Sequence, residues 1–474
     1  MNLVKNELYK ILHKRSTKIF LVIALLFVIL TNVIYRFSDD LLVFSTTYYE
    51  DYDMALSYVN DYENNGIGDK ELYIYYKTYI DTYELASKFD SNSWEYQKYM
   101  DEYWYKLQDY YRAQDEGLDT TNLLDELTQL RTNIENSNWQ YFVNEDINAA
   151  NNNIEHIKNS LDDPSLNNTE RANYEKELFI LEEQVKLNQY RLDKNVEYGK
   201  DYLNIAIDAI NNALYGMAEY KYSNDSDFED SVKSYYENWY ILDEEVDTNN
   251  GETLRSVFIN FFNEYSFLIL VFGIMIAGGM VSDEFSKGTI KSLLIIPQKR
   301  SKILLAKYIS LLIMILLIIG VLIVSELLVG GILLGLGSLS VPVVVYNISA
   351  SDLEIVNVFG YLGLQIITNL PQIILLTTLA FACSVIVNST AFSIVIPFCG
   401  IIAAELINGF ALAYDIDILN YFVTTNWDFT VYLFGGTSIF GNSLLHAIIV
   451  CLVYLIIMLV VTFIVFKRKD IKNI

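Results

Sequence analysis

Six stretches of this chain are apolar enough to sit in a bilayer, and between the first and second lies a segment of about 220 residues that is not. The first stretch, Ile19 to Ile34, is apolar except for Thr31 and Asn32, and 13 of its residues are Ile, Leu, Val or Phe. At roughly −0.3 to −0.6 kcal/mol each at a helix centre, these favour insertion by about −4 to −8 kcal/mol as an upper bound, which Asn32 near one end does not cancel. A cleaved signal peptide is the competing reading, because Lys5, Lys10, Lys14, Arg15 and Lys18 look like a basic leader. The segment continues Thr-Asn-Val-Ile-Tyr-Arg without a small-x-small cleavage pattern, so it reads as an uncleaved span.

Five further stretches reach the length of a span: Val257 to Val281, Ile303 to Leu327, Gly360 to Val387, Ala391 to Tyr414 and Leu444 to Phe466. The third apolar run continues to Leu339, longer than one membrane thickness, and Gly330, Gly331, Gly335 and Gly337 favour a break there. Lys and Arg crowd the N-terminal 18 residues, the stretch from Lys287 to Lys307 and the C-terminal tail, whereas the segments around Asp352 and around Asp415, Asp417 and Asp428 have neither. Because basic residues accumulate in short cytoplasmic loops, both termini are expected in the cytoplasm and residues 37–256 outside a cell membrane crossed six times. The expected fold is an all-α membrane protein: residues 1–36 as an interface helix and first transmembrane helix, 37–256 as an extracellular α-helical, partly coiled-coil domain, and 257–474 as a five-helix transmembrane region.

Charge follows the same division. The whole chain of 474 residues has a formal net charge of −26 and a mean hydropathy of +0.23. Residues 37–256 hold 47 acidic and 17 basic residues, a net −30, so the remainder is slightly positive. Within that segment Leu123, Leu127, Leu130 and Ile134 recur at helical spacing, as do Ile154, Ile157 and Leu161 and then Tyr174, Leu178, Leu181 and Val185, which reads as antiparallel helices with partly heptad-like seams. Asp162-Asp163-Pro164-Ser165 marks a hairpin tip, with Asn168 and Glu170 capping the next helix. A stripe of Tyr73, Tyr76, Tyr79 and Tyr83, followed by Tyr96, Tyr99 and Tyr103, either fills a core or presents an aromatic, acidic surface to cationic molecules; periodicity leaves both open. No disulfide is available there, since Cys383, Cys399 and Cys451 all lie in spans.

Catalytic constellations are scarce. His13, His156 and His446 fall in three different regions, so no His-based metal cluster or triad is expected. Gly436 to Ser443 has the glycine spacing of a P-loop but carries Asn442 where the phosphate-binding Lys is needed, so no ATP site is expected on this chain. No nucleic-acid partner is expected either.

The loop after the second span is the informative one. Phe285, Ile290, Leu293 and Leu294 give it an apolar side, Asp283 and Glu284 begin it and Pro297 ends it, as in a short helix at the membrane surface. An interfacial connector anchored by Lys299, Arg300 and Lys302 is the plainer alternative. Asp283, Glu284, Gly288, Thr289, Lys291, Leu293, Leu294, Pro297, Arg300 and Lys307 resemble the signature of type-2 ABC exporter permeases: an acidic pair, Gly-Thr, a basic residue, Leu-Leu, Pro, Arg and a Lys in the next span. The apolar face of residues 2–15, formed by Leu3, Val4, Leu8, Ile11 and Leu12, is similar to that family's interface helix, and Tyr421 to Gly436 looks like its short outer re-entrant helices. The resemblance covers residues 1–36 and 257–474 and leaves 37–256 as an insertion.

The resemblance implies a transport subunit rather than an enzyme. A separate cytoplasmic ABC ATPase would bind ATP and Mg, and a second permease subunit would complete the path, as a homo- or heterodimer. A coupling helix at 282–303 would pass ATPase closure to the spans through Asp283, Glu284, Gly288, Thr289, Lys291, Leu294, Pro297 and Arg300. Glu326, Glu405, Asn369 and Asn408 interrupt the spans and are candidates for a polar translocation path, or for helix packing. Three functions fit: an exporter of a peptide or amphipathic compound, a mechanical transducer acting on cell-envelope partners, and a secretion scaffold or surface receptor without ATPase. The acidity of the outer segment suggests a cationic peptide as ligand.

Overall fold

The first helix, α1 (Asn2–His13), exists because Val4, Leu8, Ile11 and Leu12 recur on one side of it, and α2 (Arg15–Leu41) follows almost directly. The computed structural model describes residues 2–41, 52–223, 228–247, 253–286, 288–289, 298–347, 349–387, 389–414, 416–436, 438 and 441–469. These form two compact units, residues 1–42 with 250–474, and residues 43–249.

The unit of residues 43–249 is helical throughout its described part. It runs through α3 (Tyr52–Asn65), α4 (Lys70–Ala86), α5 (Trp94–Lys98), a π-helical turn at Tyr99–Tyr103, α6 (Trp104–Asp115), α7 (Thr121–Glu135), α8 (Trp139–Leu161), α9 (Asn168–Asp193), α10 (Tyr202–Ser223) and α11 (Phe228–Glu244). The tyrosine stripe fills cores. Tyr79 is buried with Ala55, Val59 and Ile80, with Tyr73, Tyr76 and Tyr83 packed against them, and Tyr99 and Tyr103 are buried with Trp94, Leu127 and Ile134. Asn167, not Asn168, caps α9: its Oδ1 accepts from Glu170 N at 2.9 Å while Glu170 Oε2 accepts from Asn167 N at 3.2 Å. The buried stripe of α9 also differs from the expected one. Ile180, Leu187 and Arg191 are buried, whereas Tyr174, Leu178, Leu181 and Val185 remain half-exposed, because α9 packs on α8 and α10 at once and buries the strip between them.

The other unit continues through α12 (Leu254–Ile259), α13 (Phe261–Ser286), α14 (Arg300–Leu333), α15 (Val358–Ile386), α16 (Thr390–Tyr414) and α17 (Leu444–Arg468). Among the described residues, six helices are long and apolar enough to cross a membrane: α2 over Arg15–Phe37, α13, α14, α15, α16 over Thr390–Phe410, and α17. The chain is a helical membrane protein with six candidate spans. The second starts four residues later than Val257, because a separate turn of helix capped by Thr253 ends at Asn260. At about 1.5 Å per residue the 34 residues of α14 reach about 50 Å, and they do so unbroken. Gly330 and Gly331 lie inside this helix; the chain leaves it at Leu334 and turns at Gly335, whose φ is +83°. Gly330 serves packing instead: a Cβ there would stand 2.6 Å from Leu254 Cδ1 and 2.7 Å from Asn32 Oδ1.

Two connections depart from the all-α expectation. Val343–Asn347 (β1) and Asp352–Val356 (β2) form an antiparallel hairpin with Val343 opposite Val356 and Asn347 opposite Asp352. The run Pro-Val-Val-Val-Tyr after Val341 supplies β-branched residues with high strand preference, and Val343, Val344 and Tyr346 are buried. Between α16 and α17, Tyr421 to Gly436 forms no re-entrant α-helices. Its regular pieces are 3₁₀ turns at Asp417–Tyr421 and Thr430–Gly435. Side chains compete with the helical ladder there: Asn426 Nδ2 donates to Asn420 O at 2.7 Å and Phe422 O at 2.8 Å, and Thr425 Oγ1 donates to Leu419 O at 2.7 Å. The three cysteines are free thiols on α15, α16 and α17. The glycine-spaced segment from Gly436 lies partly outside the described residues.

Candidate functional site

A polar network joins the ends of four helices in the unit of residues 1–42 and 250–474. Its centre is Lys307, about two turns into α14 and only 1% exposed. The ammonium donates to Glu7 Oε2 on α1 at 2.8 Å, to Glu284 Oε1 in the last turn of α13 at 2.7 Å and to Met280 O at 3.3 Å. These three partners satisfy all three of its N–H donors, the condition under which an ammonium tolerates burial.

Around this centre α1 adds two cations. Lys10 Nζ lies 2.8 Å from Glu7 Oε1 and 3.8 Å from Glu284 Oε1, and Lys14 Nζ lies 2.5 Å from Asp283 Oδ2. Asp283 Oδ1 accepts from Thr390 Oγ1, at the start of α16, at 2.8 Å, and Thr390 meets Ser282 Oγ at 2.8 Å. Burial alone would raise the Glu7 carboxyl, but Lys307 and Lys10 outweigh it and hold that carboxyl below the usual range. For Lys10 burial would lower the ammonium, and Glu7 with Glu284 raises it instead. A cavity of about 260 Å³ adjoins the network; Phe20, Phe272 and Met275 line it beside Lys10, Lys14 and Asp283. Gly279 keeps this corner open, since a Cβ would stand 3.1 Å from Lys14 Nζ and 3.2 Å from Asp283 Oδ2.

The sequence-derived coupling residues divide into three groups. Asp283 and Glu284 do not begin a separate surface helix; they close α13, because its helical hydrogen bonding continues through Ser286. The chain then turns at Gly288, whose φ of +68° favours glycine, and Thr289 Oγ1 donates to Glu284 O at 3.4 Å. Lys291, Leu293, Leu294 and Pro297 lie outside the described residues. Arg300 is apart from the Lys307 centre: its Nη1 donates to Lys467 O at 3.3 Å and Lys469 O at 3.1 Å, so it satisfies carbonyls at the C-terminal end of α17. Lys469 in turn donates to Val385 O and Ile386 O at the end of α15.

The four candidate path residues are held by different partners. Glu326 is fully buried and accepts from Asn32 Nδ2 at 2.8 Å and from the Tyr265 hydroxyl, which ties α2, α13 and α14 together. Asn369 donates to Gln365 O within its own helix at 2.9 Å, Asn408 donates to Thr424 O at 3.3 Å, and Glu405 is exposed on α16. Among the described residues no group of three or more His, Cys, Asp or Glu side chains is placed to hold a metal ion.

Sequence reasoning missed Glu7, and it took Lys10 and Lys14 only as part of the basic cluster in the N-terminal 18 residues. The signal was present: Glu7 is a lone acid flanked by Val4, Leu8 and Ile11, and Lys307 is a lone cation in an apolar run. Opposite charges isolated in two apolar faces are candidates for each other.

No solved structure matches this chain. A Bacillus subtilis (strain 168) protein described as uncharacterized protein YhcI is 28% identical over 238 residues, covering 50% of this chain and 75% of that protein. A second protein of the same organism, described as uncharacterized membrane protein YdbK, is 24% identical over 216 residues, covering 45% of this chain and 82% of that protein. The family model described as protein of unknown function (DUF2705) matches residues 220–472, more than half of the chain, and the chain belongs to that family.

Proposed function

We propose that this chain is the transmembrane permease subunit of an ATP-binding-cassette exporter, moving a peptide or amphipathic compound with energy from a separate cytoplasmic ATPase that holds ATP and Mg. The observation that carries the reading is the Lys307 network. Glu284 of the acidic pair and Lys307, 23 residues apart in sequence, meet at 2.7 Å, while Asp283 beside Glu284 pairs with Lys14 of α1. They do so where α1, α13, α14 and α16 converge, so displacement of the loop after α13 would be felt by all four.

In this reading the network end faces the cytoplasm, residues 37–256 are extracellular, and a second permease subunit, identical or not, completes the transporter. Glu405, exposed on an otherwise apolar helix, then has a subunit or a water-filled path beside it rather than lipid. Affinity purification of the tagged chain from its native membranes, with mass spectrometry of what accompanies it, tests the reading. A stoichiometric ATP-binding-cassette subunit supports it, and recovery of the chain without any ATPase under mild extraction refutes it.

A further inference from the structure

The unit of residues 43–249 contains a cleft that the permease reading does not use. It lies among α5, α8, α9, α10 and the turn at 198–200, with a volume of about 760 Å³, within the range of small-ligand sites. Its three cations are already engaged. Arg191 is buried, donates to Asn204 Oδ1 at 2.8 Å and Val196 O at 3.2 Å, and lies 4.5 Å from the centre of the Tyr198 ring. Lys98 pairs with Glu102, and Lys200 Nζ donates to Asn92 Oδ1 at 3.1 Å.

The polar groups left over are of a different kind. Asp101, Asp146, Asp208, Asn153, Asn188 and Asn211 line the cleft and make no side-chain hydrogen bond to the described residues. Beside them the Tyr215 ring is 54% exposed, with its hydroxyl accepting from Gln184 at 3.4 Å. Carboxylates without a hydrogen-bonded partner suit a cation, amides pair equally with N–H and C=O, and an exposed tyrosine face suits a cation or its aliphatic stem.

We infer that this cleft binds a short extended peptide segment bearing lysine or arginine, with the aspartates on the cationic side chain and the asparagines on the peptide backbone. A neutral oligosaccharide would also satisfy the amides and donate hydroxyls to the aspartates, but it brings no positive charge to offset theirs. Desolvation already pushes the Asp146 and Asp208 carboxyls above the usual range, against the pull of Lys98 and Arg191 at Asp146 and of Arg191 at Asp208, and a cationic ligand offsets their charge directly. The inference deepens the peptide half of the proposed function, yet it is tested without ATP or an ATPase, so either can fail alone.

The test is binding of fluorescently labelled tetralysine to the full chain in nanodiscs of zwitterionic lipid, followed by anisotropy at about 150 mM salt, where charges are screened beyond roughly 8 Å. Asp208→Asn should weaken binding by about tenfold or more and Asn188→Ala by several-fold, as loss of a charge-assisted and a neutral hydrogen bond implies. Asp125→Asn, an exposed position on α7 outside the cleft, changes net charge equally and should have less than about a twofold effect. Should Asn188→Ala lower the melting temperature, Asn153→Ala at an exposed position takes its place. Equal weakening by Asp125→Asn and Asp208→Asn would reduce the effect to the domain's overall field and overturn the site. Absence of tetralysine binding, or binding of chitotriose in its place, would overturn it as well.

Discussion

Lys307 on α14 and Glu284 at the end of α13 stand 2.7 Å apart, with the lysine fully withdrawn from solvent. Removing one member of such a pair leaves an uncompensated charge, whereas removing all the charges need not. Lys307→Met should therefore destabilise the detergent-solubilised chain by about 3–5 kcal/mol, and Lys307→Met combined with Glu284→Gln and Glu7→Gln should recover a large part of that loss. Thermal unfolding of the single and triple variants measures this.

The Glu7 carboxyl gives a pH signature of definite sign. Its value in the folded chain lies below the ordinary 4.5, so its contribution to stability is present above that value and is lost as pH falls through the folded one. Melting temperatures recorded from neutral pH down to about 3 should fall less steeply for Glu7→Gln than for the natural chain, with the curves parallel above about pH 5.

Two glycines of α14 should respond oppositely to the same change. At Gly330 a Cβ meets Leu254 and Asn32 within 2.7 Å, so Gly330→Ala should cost about 1–3 kcal/mol through overpacking. Gly320 has open space around it, and Gly320→Ala should be neutral or stabilise by up to about 1 kcal/mol through helix preference. Equal effects in thermal unfolding would contradict the close approach of α2 and α12 to α14 at Gly330.

In the other unit the Tyr99 hydroxyl is buried without a hydrogen-bond partner among the described residues, and burial pushes its ionisation up to about 12. Tyr99→Phe removes an unsatisfied polar atom while keeping the ring that fills the core. It should be neutral or stabilising by about 1 kcal/mol, and a loss greater than about 1 kcal/mol on chemical denaturation would show that the hydroxyl has a partner.

Six long apolar helices were legible because insertion depends on composition, which a sequence displays directly. Helix ends and packed faces were less so. Gly330 and Gly331 suggested a break in α14, but α2 packs so closely at Gly330 that the helix needs glycine there. The stripe on α9 was assigned to Leu178 and Val185 because helical spacing is shared by every face, and only the position of α8 and α10 selects Ile180 and Leu187. The β-hairpin is legible in principle from its run of β-branched residues, Val343 to Val345. In the candidate site Asp283, Glu284 and Lys307 were singled out from sequence, but their partners Glu7, Lys10 and Lys14 lie some 270 to 300 residues away, beyond any local pattern.

Under the proposed function, the Lys307 network passes ATPase closure to the spans. This coupling is tested most directly by peptide-stimulated ATP hydrolysis in nanodiscs holding the chain together with the ATPase copurified with it, comparing the natural chain with Glu284→Gln. The variant should retain the ATPase subunit while stimulation falls by about tenfold, about 1.4 kcal/mol in activation free energy. Full stimulation in a variant that still binds the ATPase would contradict it.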